Sequence, residues 1–296
     1  MIKRKAYAKI NLALDITGKK DNGYHELNTV MQTINLFDLL TFDENPGADD
    51  LITLEVIDDP FPESDPVSVK DNLVYKAAKL VFDEYKIDTP VIITLKKNIP
   101  IAAGLGGGSS DAAATIRGLN SLLNLNMPFE KMCKLGTEIG ADVPFCIMGG
   151  TALCGGVGDV LKRIPNPPQC YLLIAKPDIS VSTAHVYQEY DKLTDVKHPD
   201  VDGLIEGILN QDLLKVTQSL GNVLEAVTIS EHPVIDEIKE HLKEKGAWSS
   251  LMSGSGPTVF GVFMDHMFAA RAEKSLLENG LAKDTFITTY INNVDM

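Results

Sequence analysis

Eight residues between a short apolar strand and an alanine-rich helix are the densest chemistry-bearing feature of the chain: Gly104-Leu105-Gly106-Gly107-Gly108-Ser109-Ser110-Asp111. Glycine lacks a Cβ, so backbone N–H groups in such a loop approach phosphate oxygens closely. The first turn of the following helix adds unpaired N–H donors at the positive end of its dipole. That combination suits a polyphosphate. A P-loop would end in Gly-Lys-Ser/Thr, where this chain has Ser109-Ser110-Asp111. The dinucleotide pattern fails too: its third small residue would fall on Ser109, and Pro100-Ile101-Ala102-Ala103 is a poor end for a buried parallel strand. A glycine run by itself also reads as a linker, and the helix behind this one weighs against that.

Other residues acquire meaning only in combination. Asp142, in Gly140-Ala141-Asp142-Val143-Pro144-Phe145, follows a helix, where a carboxylate ordinarily serves a turn or cap. Lys9 interrupts the apolar-rich strand around Ala8 and Ile10: it is either a solvated edge lysine or a cation facing a cleft. Tyr24-His25 sets an aromatic ring and an imidazole side by side after a turn, although one histidine also serves as an ordinary core hydrogen-bonder. Ser253-Gly254-Ser255-Gly256-Pro257-Thr258 alone is a tight turn before a strand.

The elements that must carry these residues follow from periodicity. Alternation predicts strands over Ala8–Thr17, Leu27–Asn35 and Leu51–Ile57, an antiparallel opening sheet with turns at Asp21-Asn22-Gly23 and Asn45-Pro46-Gly47. Asp71 is the expected N-cap of a helix whose apolar face holds Leu73, Ala77, Leu80 and Val81 and which ends near Tyr85. A strand at Val91–Leu95 leads into the glycine loop, followed by helices over about 110–123 and from Pro128 to Ile139, the latter closed by Gly140. Short strands return between Thr151 and Ile164. The prolines at 165, 167 and 168 mark the clearest break, dividing the chain into expected domains 1–165 and 166–296. The second half reads as a strand at Tyr171–Ala175, helices between Thr183 and Lys245, a strand at Val259–Phe263, a helix over Phe268–Leu277 and a last strand at Phe286–Ile291. The fold class is α+β in both halves. No internal repeat stands out, and disorder is expected only in the Asp/Pro-rich stretch 58–65.

Bulk properties remove several function classes. A net charge of -14, from 27 basic and 41 acidic residues, repels nucleic acid at long range, so an anionic ligand must be held by local groups. Cys133, Cys146, Cys154 and Cys170 form neither a CxxC pair nor a zinc-ligand spacing and read as reduced, buried thiols of a cytoplasmic protein. The N-terminus reads as a strand rather than a signal peptide, and no run of about 18 apolar residues is available to span a membrane.

Taken in order, Ala8-Lys9-Ile10-Asn11, the loop from Pro100 to Ala113, Gly140–Phe145 and Ser253–Thr258 resemble the signature segments of the GHMP kinase superfamily, and the resemblance covers nearly the whole chain. Within that superfamily, Gly23-Tyr24-His25-Glu26-Leu27 is similar to a segment of members that phosphorylate a cytidine diphosphate-linked methylerythritol on the non-mevalonate route to isoprenoids. The resemblance implies an N-terminal domain like the second domain of ribosomal protein S5, a ferredoxin-like C-terminal domain, and ATP with Mg2+. It further implies Asp142 as base and Lys9 as its cationic partner. ATP contacts are expected at Pro100, Ala102, Gly104, Leu105, Gly106, Gly107, Gly108, Ser109 and Ser110, with Ser109 or Ser110 reaching the metal. Asn11, Tyr24, His25, Thr183 and Tyr187 would bind the acceptor. Lys20, Asn22 and Asp159 depart from the usual pattern and leave contacts at those positions open. Other readings are a kinase of a homoserine- or mevalonate-type alcohol, against which Tyr24-His25 stands, and a nucleotide sensor without catalysis, against which Lys9 and Asp142 stand.

Overall fold

The computed structural model describes residues 1–21, 23–58 and 68–294. In chain order the elements are β1 (Ile2–Lys19), β2 (His25–Glu44), β3 (Ile52–Ile57), α1 (Leu73–Tyr85), β4 (Val91–Lys96), α2 (Gly107–Leu122), α3 (Phe129–Ile139), α4 (Val143–Met148), β5 (Thr151–Gly155) and β6 (Val160–Ile164). There follow β7 (Tyr171–Lys176), α5 (Thr183–Tyr190), α6 (Val201–Leu209), α7 (Leu213–Gln218), β8 (Gly221–Asn222), α8 (Glu225–Glu231), α9 (Val234–Glu244), β9 (Ser249–Met252), β10 (Val259–Phe263), α10 (His266–Glu278) and β11 (Asp284–Thr288). All but Asp58 of the stretch expected to be disordered lies outside the described residues, as does Asn22. No helix among the described residues is long and apolar enough to cross a membrane.

Two sheets organise the molecule. The first runs β3-β4-β2-β1-β8, with β5 and β6 continuing from β2, and the second runs β11-β7-β10-β9. The long β1–β2 pair is antiparallel, as the alternation predicts, whereas β3 joins β4 in parallel, a crossover made by α1. The chain passes from the first sheet to the second between Ile164 and Tyr171. It then returns at β8, whose Gly221 and Asn222 pair with Ala13 and Leu14.

β1 is buried continuously from Ala6 to Ile16, so both phases of its alternation are shut away from water. The apolar phase explains itself; Lys9 and Asn11 are buried polar residues, 5% and 1% exposed, and they face the cleft between the sheets. Register shifts flank both positions, and bulges of this kind re-aim side chains. Helix α2 lies close on this sheet because its buried face is small: Ala112, Ala113 and Ala114 are fully buried, and a Cβ at Gly118 would stand 2.3 Å from the Phe42 ring.

Three local expectations need correction. Asn72, not Asp71, caps α1: its side chain accepts from the Val74 amide, while Asp71 belongs to the preceding turn. The buried stripe of that helix is Val74, Ala77, Ala78, Val81 and Phe82, leaving Leu73 and Leu80 at its margins. Cys133 is only partly buried; the other three cysteines are buried, and all four are free thiols.

Candidate active site

A cleft of about 1430 Å³ opens between the glycine loop, the β1–β2 end and α5. Its volume exceeds the roughly 300–1,000 Å³ usual for one small ligand, which leaves room for two. At one end the chain turns sharply: Gly104 and Gly106 have φ of 73° and 68°, and α2 begins at Gly107 with no side chain capping its first turn. The leading N–H groups of α2 therefore remain available to an anion. Gly106 is required twice over, for the left-handed backbone and because a Cβ there would stand 2.9 Å from Lys9 Cγ.

Lys9 is held from several sides beneath this loop. Its amide donates to the Leu105 carbonyl at 2.9 Å, and its ammonium donates to Asn11 Oδ1 at 2.9 Å and lies 3.2 Å from Asp142 Oδ2. Asn11 is oriented in turn: its amide donates to Thr29 Oγ1 at 2.9 Å, and that hydroxyl donates to the Ala13 carbonyl at 2.6 Å. Asp142 stands at the start of α4 without capping it, so the carboxylate is committed to Lys9 and the cleft. The two residues whose ordinary readings were an edge lysine and a turn aspartate thus form an ion pair, 133 positions apart in the chain.

Pro100, Ala102, Gly104, Gly106, Gly107, Gly108 and Ser109 line the same end of the cleft. Leu105 is buried and contributes its carbonyl to Lys9. Ser110 is buried as well, and its hydroxyl donates to the Tyr7 carbonyl at 2.6 Å, tying α2 to β1; of the two serines only Ser109 opens on the cleft.

Sequence reasoning missed a second cation here. Lys97 donates to Asp111 Oδ2 at 2.8 Å and to Asp38, and all three groups are buried. The other oxygen of Asp38 accepts the backbone amide of Ile99 at 2.8 Å, clamping the strand that feeds the loop. Burial works to lower the Lys97 pKa, but the Asp111 and Asp38 carboxylates outweigh it and leave it raised. Asp111 is held well above the usual carboxylate range by burial, with Asp38 adding to the effect against Lys97. No local spacing marks this cluster in sequence, because Asp38 lies on β2, Lys97 just past β4 and Asp111 in α2.

At the other end of the cleft stand Tyr24, His25, Thr183 and Tyr187. The His25 ring lies over Tyr187 with centroids 4.9 Å apart and planes at 33°. Burial, and secondarily the Asp142 carboxylate, push the Tyr187 phenol well up, so it stays neutral. His25 Nε2 lies 2.6 Å from Asp191 Oδ1, a partner the sequence did not suggest. Thr183 Oγ1 lies 2.8 Å from Ser255 Oγ, which brings the C-terminal turn into the wall. That turn also backs the glycine loop: Ser253 Oγ donates to the Gly104 carbonyl at 3.0 Å. Asn222 secures the turn by donating to the Met252 and Gly254 carbonyls at 2.9 and 2.7 Å. Of the departures from pattern, Asp159 accepts the Val157 amide at 3.2 Å within its own turn.

Comparisons with known proteins agree with this geometry. Residues 72–150 match the family model described as GHMP kinases N terminal domain, and residues 196–281 match that of GHMP kinases C terminal. A 4-diphosphocytidyl-2-C-methyl-D-erythritol kinase of Lachnospira eligens is 47% identical over 288 residues, covering 97% of each chain. That of Bacillus subtilis is 49% identical over 88% of each. The crystal structure of a 4-(cytidine 5'-diphospho)-2C-methyl-D-erythritol kinase superposes with a TM-score of 0.80 at 29% identity, over 98% of this chain and 99% of that one. A homoserine kinase from Cytophaga hutchinsonii shares the fold at 20% identity with a TM-score of 0.73. An α+β fold of two packed sheets, a glycine loop over a Lys–Asp pair and full-length similarity of this degree lead to one conclusion: the chain belongs to the GHMP kinase superfamily and, within it, to the 4-diphosphocytidyl-2-C-methyl-D-erythritol kinase family.

Proposed function

We infer that this chain transfers the γ-phosphoryl group of ATP to the 2-hydroxyl of 4-diphosphocytidyl-2-C-methyl-D-erythritol, a step of non-mevalonate isoprenoid precursor synthesis. The observation that carries the reading is the Lys9–Asp142 pair, held at 3.2 Å under an anion-ready loop in a cleft whose other end is aromatic. Phosphoryl transfer passes through a loose transition state and asks mainly for positioning and charge stabilisation. Backbone N–H groups of Gly104–Ser109 would hold the β and γ phosphates, and Asp142 would accept the hydroxyl proton as the new P–O bond forms. Lys9, fixed by Asn11 and the loop, would offset charge growing on the transferred group.

The donor set fits Mg2+ delivered with the nucleotide. Ser109 offers a hard hydroxyl oxygen at the cleft, and no group of three or more His, Cys, Asp or Glu among the described residues forms a cage for a metal. Mg2+ characteristically takes one or two protein oxygens and fills its shell with phosphate and water. Bound there, it would screen the phosphate charge. At the acceptor end, Tyr24 and the face of Tyr187 that His25 does not cover would serve for stacking, whereas the polar edge of His25 would supply choice among bases. Burial pushes all four thiols up, so they stay protonated and take no part as nucleophiles.

The test is ADP release with Mg-ATP and four acceptors: diphosphocytidyl-methylerythritol, homoserine, mevalonate and galactose. Turnover of the cytidine compound alone is expected. Turnover of another alcohol would retain the kinase and overturn the acceptor site, and ATP binding without turnover of any would favour the sensor reading.

A further inference from the structure

The His25 imidazole presents one donor and one acceptor when neutral, and its surroundings decide which ring nitrogen is which. It opens β2 directly opposite Lys19 of β1, and its side chain is 10% exposed. Tyr187 lies beneath the ring and Tyr190 stands edge-on at 6.5 Å, so the imidazole has little freedom to turn. Asp191, one residue past α5, holds both neighbours. Its Oδ1 lies 2.6 Å from His25 Nε2, and its Oδ2 accepts from Lys19 Nζ at 2.5 Å. These hydrogen bonds, His25 first and Lys19 second, hold the Asp191 carboxyl below its ordinary range, so it is ionised and can only accept.

We propose that Asp191 and Lys19 are positioning residues that lock His25 in the neutral tautomer with hydrogen on Nε2 and an accepting Nδ1, and thereby select a 4-amino pyrimidine over a 4-oxo one. The proposal rests on the reading of His25 as part of the base subsite. A carboxylate facing Nε2 requires hydrogen there, and in a neutral ring that leaves Nδ1 with a lone pair. Lys19 already balances the Asp191 charge and engages its second oxygen, which leaves Oδ1 aimed at Nε2. An accepting nitrogen matches the exocyclic amine of cytosine; it sets a lone pair against the carbonyl oxygen of uracil. The opposite tautomer, or a doubly protonated ring, would reverse that preference.

The experiment reads the tautomer and the selectivity separately. Long-range 1H–15N spectra of histidine-labelled full chain, with the His25 signals assigned through His25→Gln, would be recorded for wild type, Asp191→Ala, Asp191→Asn and Lys19→Met. Turnover of cytidine- and uridine-diphosphate-linked methylerythritol would be measured on the same proteins. Wild type is expected to show protonated Nε2 and unprotonated Nδ1. Asp191→Ala should mix the tautomers and reduce the cytidine-to-uridine ratio of kcat/KM by about tenfold, the usual order for loss of an outer partner. Asp191→Asn, whose carbonyl still accepts, should restore the tautomer, and Lys19→Met, which frees the second oxygen of Asp191, should mix the tautomers and weaken selectivity. An unchanged tautomer in Asp191→Ala, or a changed tautomer with intact selectivity, overturns the proposal. Failure of wild type to use the cytidine compound at all would instead sink the acceptor reading, whatever tautomer His25 adopts.

Discussion

The two ends of the cleft are built on different principles. The glycine-loop end rests on backbone conformation and on charges shut away from water: Gly104 and Gly106 in the left-handed region, Lys9 at 5% exposure, and the Lys97–Asp38–Asp111 cluster behind the loop. The aromatic end rests on side chains at the tips of β1, β2 and α5, where Tyr24 is 63% exposed and His25 reaches its partner across 166 positions of sequence. Chemistry common to many kinases can be held by a rigid core, whereas acceptor choice can change by altering a few surface-near side chains without disturbing that core.

This contrast can be broken most directly at Asp142. Asp142→Asn removes the proposed proton acceptor and leaves an amide of the same shape, so kcat should fall by about 10² to 10⁴ while ATP affinity, measured by calorimetry, stays near wild type. Near-normal turnover would remove Asp142 from the mechanism. Next in size is Lys97→Met, which strands two buried carboxyl groups and should cost about 3–5 kcal/mol in urea unfolding. Because the folded Lys97 pKa lies above its ordinary 10.5, this contribution is fully present below the unfolded value and lost as pH rises beyond it. The gap between wild type and Lys97→Met should therefore narrow above pH 10.5; a gap constant across alkaline pH would show that lost packing, not charge, sets the cost.

Tyr187→Ala sharpens the comparison from the other end. Loss of a stacking face costs about 1–3 kcal/mol per base, so KM for the cytidine acceptor should rise roughly 10- to 100-fold while KM for ATP changes little. Equal changes in both would place Tyr187 outside the base subsite. The smallest effect is expected from Asp111→Asn, because the amide keeps an oxygen for Lys97 and Asp38 still pairs with that lysine. A neutral amide in its place should alter unfolding free energy by less than about 1 kcal/mol near neutral pH, whereas a loss as large as that of Lys97→Met would mean the Asp111 charge is needed.

The glycine loop, the strand before it, the helix behind it and the long β1–β2 ladder were legible because each is specified by neighbours in sequence: turn chemistry, period two, and period 3.6. The cap of α1 was misplaced by one residue because Asp71 and Asn72 are both good capping types, and only backbone dihedrals separate them. Lys9 and Asp142 were singled out by resemblance; their residue types alone had bland readings. Asn222, Asp191 and the Lys97 cluster escaped notice because each acts through a residue that is remote in the chain and ordinary in composition.

Local physics therefore determined, from the sequence itself, the longer strands and helices and where an anion-binding turn lies, since backbone propensity and side-chain period act over a few residues; the short elements α4, β8 and β9 carry too little of either period to be read. Only the tertiary structure decided which buried charges meet. Lys9, Lys97, Asp111 and His25 all meet partners brought within 4 Å by the packing of distant elements, and for Lys97 and Asp111 burial and neighbouring charge outweigh what the residue type says alone.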